Sequence, residues 1–225
     1  MNIAIFGASG MVGQGVLREC LQDANLQKVL IVGRSALDVV HPKLVQLVTS
    51  DMLDLNQYQA ELTGIDACFF CLGVSSAGMT ADQYRHLTYA LTVSVALRLL
   101  RWNPGMTFVY VSGAGTDSSE RGRSMWARIK GETENALLRL PFKAAYMLRP
   151  GIILPLDGIQ SKTRSYRLFY KLLGPLLRGL QRLWPGSMTT TANVGLAMLQ
   201  LAREGWPQSV LDGSAINMAA HRQRR

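Results

Sequence analysis

The sequence predicts an α/β fold, a doubly wound parallel sheet formed by one domain over residues 1–225. Three observations predict it. Short apolar runs alternate with segments of helical spacing, which implies βαβ units and a parallel sheet. Five of the six runs before residue 150 are almost wholly apolar, as strands covered on both faces must be. The 225 residues are 48% hydrophobic, which supplies a large core and excludes a disordered chain.

Each element has its signal. Asn2 to Phe6 is an apolar run broken at Gly7. Val12 to Leu21 carries Val12, Val16, Leu17, Cys20 and Leu21 on one helical side. Strands follow at Lys28 to Val32, Leu44 to Val48 and Asp66 to Cys71, ended by Gly33-Arg34, Ser50-Asp51 and Gly73. Ala81 to Trp102 reads as one long helix packed through Leu87, Leu91, Val95 and Leu99, and stopped by Asn103-Pro104-Gly105. Thr107 to Val111, a helix at Ser124 to Leu138 and a strand at Ala144 to Leu148 complete the alternation. Helical spacing resumes at Thr191 to Arg203, then a short strand at Ser209 to Leu211 and a few helical residues at Ala215 to Ala220. Between them, residues 155–190 form a basic helical cap, with Lys162, Arg164, Arg167, Lys171, Arg178 and Arg182 and no acidic residue from Gln160 to Pro185.

The turn Gly7-Ala8-Ser9-Gly10-Met11-Val12-Gly13 follows a strand and opens a helix. A dinucleotide site needs this arrangement: one glycine for the tight turn, one for close approach of a pyrophosphate, one for helix–strand packing. The phosphates then meet free N–H groups at the positive end of the helix dipole. This context makes the fold Rossmann-type. The second strand ends in Arg34, where an NAD site has an acidic residue for the ribose hydroxyls. A guanidinium there suits a 2′-phosphate, so NADP(H) is expected ahead of NAD(H), against a solvated loop arginine. Asp51, followed by Met52, either accepts from the adenine amine or caps the turn to Leu55.

The series GASGMVG, VGRS, Asp51-Met52, Cys71-Leu72-Gly73, Val111-Ser112-Gly113, WARIKGETE at 126–134 and Leu148-Arg149-Pro150-Gly151 resembles the short-chain dehydrogenase/reductase superfamily. More narrowly it resembles the atypical NAD(P)H-binding branch with NmrA-like and Tat-interacting-protein-like members. The resemblance implies strand order 3-2-1-4-5-6, with room for a seventh strand. It implies a backbone role under the cofactor for Leu72, Gly73 and Val74, and a place beside the nicotinamide for Arg149, Pro150 and Gly151. It also implies a catalytic Ser, Tyr and Lys. Ser112 takes the first place and Lys130 the third, where it would hold the ribose hydroxyls. The second place, four residues before Lys130 on the same helical face, is Trp126. An indole N–H is a donor with no usable acidity near neutral pH. Tyr84, Tyr89 and Tyr110 occur elsewhere, and none is expected to replace it.

Other signals bound the function. The net charge is +9, from 24 basic and 15 acidic residues, and favours an anionic partner such as a pyrophosphate. Nucleic acid is not expected, since no motif accompanies the charge. The basic, leucine-rich stretch 160–185 fits a lid, a subunit contact or, less readily, an anionic membrane. A homodimer through the long helix is compatible with the resemblance. Cys68 and Cys71 are spaced to point to opposite faces of a strand, so they read as core. His41, His86 and His221 show no ligand spacing, so no metal is expected. Three cysteines and a strand starting at Asn2, with no room for a leader, suggest a reducing, cytoplasmic setting. Two functions follow: an NADP(H)-dependent oxidoreductase on a small, mostly apolar carbonyl compound, or a dinucleotide sensor without turnover.

Overall fold

A computed structural model describes residues 1–156 and 188–224. The main sheet contains β1 (Asn2–Phe6), β2 (Lys28–Gly33), β3 (Leu44–Val48), β4 (Ala67–Phe70), β5 (Thr107–Val111), β6 (Ala144–Arg149) and β9 (Val210–Asp212). Their order is β3-β2-β1-β4-β5-β6-β9, the doubly wound Rossmann order with a seventh strand. Every pairing is parallel; β9 joins β6 with Met147 opposite Val210. The order reverses between β1 and β4, so the carboxyl ends of these strands part and leave a crevice there. A second parallel pair, β7 (Ile152–Leu154) with β8 (Met188–Thr190), has no counterpart in the sequence reading. Runs of three residues are too short for a period to register.

Each face of the sheet buries its own core. On one side Ile3, Ile5, Val29, Ile31, Phe69 and Val109 meet α1 (Met11–Gln22), α6 (Thr191–Glu204) and α7 (Gly213–Gln223). On the other, Ala4, Phe6, Leu30, Phe70, Phe108 and Tyr110 meet α4 (Leu91–Trp102), α5 (Met125–Arg139) and the short α2 (Gln59–Leu62). Cys68 packs into this second core and Cys71 against the first, as the alternation of a strand requires. Burial pushes the Cys71 thiol up to about 12, so it is no nucleophile at neutral pH.

Two helix contacts are set by missing side chains. A Cβ on Gly15 of α1 would stand 2.5 Å from the Thr191 Cβ, and one on Gly195 of α6 would stand 2.9 Å from the Glu19 Cγ. The two helices therefore touch backbone to side chain, and α6 is locked onto the helix that follows the glycine turn.

The predicted long helix is interrupted. It runs as α3 (Ala81–Arg85), a wide π turn at His86–Ala90, then α4. The buried line is Tyr84, Thr88, Thr92, Val95 and Leu99, and Leu87 is exposed. The reading that placed Leu87 on the sheet face is corrected by this wider turn, which carries the apolar line past it. The centre of the basic cap, with the Gly174-Pro175 kink and the whole stretch 160–185, lies outside the described residues. Among the described residues no helix is long and apolar enough to cross a membrane.

Candidate functional site

The site is built on the glycine turn. Gly7 sits at φ +86°, and a Cβ there would lie 2.7 Å from the backbone nitrogen of Leu72. A Cβ on Gly13 would lie 2.1 Å from the Gly7 carbonyl oxygen. These two glycines are therefore required by the chain itself. Gly10 is different. Its φ and ψ of −80° and 165° suit any residue, and its Cβ would meet only the Gly7 oxygen, at 3.4 Å. Gly10 caps α1 without a side-chain hydrogen bond, and the first turn of α1 holds no acidic residue. The N–H groups of Met11, Val12 and Gly13 stand at this uncapped positive end. The turn is held by Gly10 N–H donating to the Gly7 oxygen at 3.0 Å and by Gln14 Nε2 donating to the Ser9 oxygen at 3.1 Å.

Beside the turn lies a cleft lined by Gly7, Ser9, Arg34, Ser35, Met52 and Leu72 among others. Arg34 is exposed at its rim. Asp51 Oδ1 accepts from the N–H groups of Leu53 and Asp54 at 2.8 and 3.2 Å, which makes it the cap of its own turn. Gly73 and Val74 are exposed past the end of β4, next to the cleft. The glycine spacing pointed to the capless helix end, while Ser35 and Val48 in the cleft wall gave no sequence signal.

At the end of β5, Ser112 and Lys130 come together, both with hydrogen bonds already made. Ser112 is buried, and its Oγ donates to the Leu148 oxygen of β6 at 3.0 Å. The Lys130 ammonium donates to the Ser112 carbonyl oxygen. Lys130 is thus no solvated helix lysine; burial pulls it down to about 8, opposed by the Glu134 carboxylate. Trp126 lies half-buried with its ring edge over Gly115, 3.3 Å from where a Cβ would stand, and the φ of +85° there favours glycine. Tyr110 is enclosed in the core, where burial pushes its phenol far above the ordinary range. Tyr84 is raised by burial as well.

Arg149, expected beside the nicotinamide, is engaged by side chains of α5 and the loop before it. Its Nε donates to both Glu134 carboxylate oxygens at 3.1 Å, its Nη2 also donates to Glu134, and Nη2 reaches Ser118 Oγ at 2.5 Å. Pro150 is buried and its oxygen accepts from Ala114 N–H at 2.8 Å, while Gly151 is exposed. Glu134 is a site residue that the sequence reading missed. The signal was a carboxylate four residues past Lys130 on an otherwise packed helical face. Gly131, between them, is structural: a Cβ there would stand 1.8 Å from the Asp117 oxygen.

The chain matches no family model. Protein fmp52-1, mitochondrial, of Aspergillus terreus is 27% identical over 213 residues, covering 88% of this chain and 89% of that protein. Protein HTATIP2 of Rattus norvegicus is 28% identical over 156 residues, 68% of this chain and 63% of that protein. With these relatives the chain is similar to the atypical short-chain dehydrogenase/reductases. Solved structures share the fold. A UDP-N-acetylglucosamine 4-epimerase from Methanobrevibacter ruminantium M1 superposes with a TM-score of 0.70 at 14% identity, over 94% of this chain and 75% of that one. The Bordetella bronchiseptica enzyme WbmF, solved with NAD+, gives 0.66 at 16% identity, over 99% and 77%. The expectation of a cytoplasmic setting is overturned by the fungal relatives, which are named as mitochondrial proteins. The inference from Asn2 failed because a strand at the start of a chain says nothing about where the protein is delivered.

Proposed function

We propose that this chain binds NADP(H) across the carboxyl ends of its strands and acts as an oxidoreductase on a small carbonyl compound. Gly10 carries the reading. Gly7 and Gly13 lack side chains because the fold demands it; nothing in the fold demands it of Gly10. Its empty space, in front of an uncapped helix N-terminus, suits a pyrophosphate held by the N–H groups of Met11, Val12 and Gly13. The cleft beside Arg34 and Met52 suits the adenosine half.

Arg34 supports NADP(H) over NAD(H): it is exposed at the cleft rim and has no hydrogen-bond or ion-pair partner among the described residues. When bound, the nicotinamide supplies a hydride for a carbonyl carbon. Lys130 would hold the sugar next to it, and Trp126 would wall the substrate side. The rat relative favours the Tat-interacting-protein-like branch.

A second reading, a dinucleotide sensor without turnover, is favoured by two side chains. Ser112 spends its hydroxyl on the Leu148 oxygen, and Trp126 has no acidic proton to give. Titration of NADPH and NADH by protein fluorescence, followed by NADPH absorbance with a panel of aldehydes, ketones and quinones, separates the two. Turnover that Ser112→Ala abolishes supports the enzyme; binding with no turnover across the panel supports the sensor. Arg34→Ala is expected to weaken NADPH by roughly 10- to 100-fold, the worth of one charge-assisted contact, and to leave NADH unchanged. Equal affinities for the two cofactors in the native protein remove the NADP(H) preference.

A further inference from the structure

The buried ion pair between α5 and β6 has a role beyond joining two elements. Glu134 is 1% exposed on its side chain, a place where a lone carboxylate is not sustained. Arg149 grips it with two nitrogens and passes a further donor to Ser118. Glu134 stands one helical turn past Lys130, on the same face of α5. The Lys130 ammonium itself is fixed to the Ser112 carbonyl oxygen on β5. The other groups around it carry no compensating charge. Tyr110 of β5 and Tyr84 of α3 are phenols held neutral by burial. Arg85 of α3 is occupied by Glu132 on the neighbouring flank of α5. Among the described residues, Glu134 is thus the carboxylate one helical turn from a half-buried lysine at the end of β5.

We propose that Glu134, gripped by Arg149, is a positioning residue that keeps the Lys130 ammonium charged and aimed at the end of β5. The last part of its purpose, holding a cofactor sugar there, rests on the dinucleotide reading above; the charge-keeping itself does not. Arg149 is what makes the arrangement stable. It fixes the carboxylate against rotation, one helical turn from Lys130. Without the carboxylate, burial alone would act on Lys130, and the neutral amine would prevail at a lower pH.

The test uses two readouts on the full chain. In the first, the protein without cofactor is pulse-labelled with acetic anhydride from about pH 6 to pH 11, and Lys130 acetylation is followed by mass spectrometry. The native Lys130 is expected to show its midpoint below that of the exposed Lys143, and Glu134→Gln to move it lower still. An unchanged midpoint in Glu134→Gln overturns the proposal. So does complete protection of Lys130 at every pH, because a sugar must reach the same amine. Where Glu134→Gln fails to fold, the pair Glu134→Gln with Arg149→Met removes both charges together and is expected to show a smaller downward shift, because the guanidinium's repulsion leaves with it.

In the second readout, NADPH affinity of the variant is compared with native protein at about pH 6 and pH 9. Each unit by which the Lys130 midpoint falls should remove roughly tenfold of the ammonium above it, so the loss of affinity grows with pH. A loss equal at both pH values marks a purely structural role and overturns the proposal. If neither protein binds NADPH or NADH, the dinucleotide reading is what fails, and the labelling result still decides for Glu134.

Discussion

Replacing Gly10 with alanine separates the needs of the fold from the needs of a ligand. The backbone at Gly10 is extended, and the new methyl meets one atom, the Gly7 oxygen, at 3.4 Å. The folded state therefore accepts it without strain. Loss of glycine's freedom in the unfolded chain adds about 0.4–1 kcal/mol, and the poorer N-cap that alanine makes removes a similar amount, so Tm should stay within a few degrees of the native value. The same methyl stands where a phosphate oxygen would approach the uncapped N–H groups of α1. Two charge-assisted hydrogen bonds lost there, at about 1.5–3 kcal/mol each, weaken binding by roughly 10²- to 10⁴-fold. Gly13→Ala is the contrasting control: its methyl would be 2.1 Å from the Gly7 oxygen, and the fold itself should lose about 1–3 kcal/mol or more. Thermal unfolding and NADPH fluorescence titration on the three proteins give both quantities. The reasoning is refuted if Gly10→Ala binds NADPH as the native protein does, or if it unfolds as early as Gly13→Ala.

Three further outcomes are expected. Gly131→Ala puts a methyl 1.8 Å from the Asp117 oxygen and should destabilise by about 1–3 kcal/mol, seen in urea unfolding; native-like stability would show that the loop before α5 yields freely. Arg149→Met leaves Glu134 buried without its partner and should cost about 3–5 kcal/mol, with the double replacement of both residues recovering most of it; a single variant as stable as the double would contradict this. Burial raises the Asp23 carboxyl, but Arg203 at 2.5 Å and the Asn25 N–H outweigh it and hold the group below its usual value. A folded-state value below the unfolded one contributes stability above the ordinary aspartate range, which is lost as pH falls through the folded value. Asp23→Asn should therefore flatten the acid limb of a stability–pH curve below about pH 4; an unaltered limb argues against the pair.

Much of this fold was legible because its signals are local. Apolar runs closed by Gly7, Gly33 and Gly73 mark the strands, the family resemblance implies their order, and the glycine spacing marks the crevice. What was not legible depends on contacts distant in sequence. The hydroxyl of Ser112 is taken by the Leu148 oxygen, 36 residues away, which residue type alone does not reveal. Arg149 was placed by its position after β6, yet a guanidinium goes to the nearest buried carboxylate, and Glu134 lies 15 residues earlier. Asp51 offered two roles of equal standing, and the backbone of its own turn takes its carboxylate. Leu87 was assigned by a straight 3.6-residue count, which the π turn at His86–Ala90 breaks.

The contact between α1 and α6 also bears on the order in which the chain can be built. The face of the sheet beneath α1 is completed by Val194, Met198, Leu201, Leu211 and Ile216, all from the last elements of the chain. Arg203 reaches back across 180 residues to Asp23. During synthesis from the N-terminus, Ile3, Val29 and Phe69 emerge long before those partners do. The opposite face is closed by α4 and α5, which arrive earlier. A nascent chain therefore carries one finished side and one bare apolar side until its final helices leave the ribosome. Closure of such distant pairings is slow, so this half-covered sheet is the stage at which a chaperone would find a surface to hold.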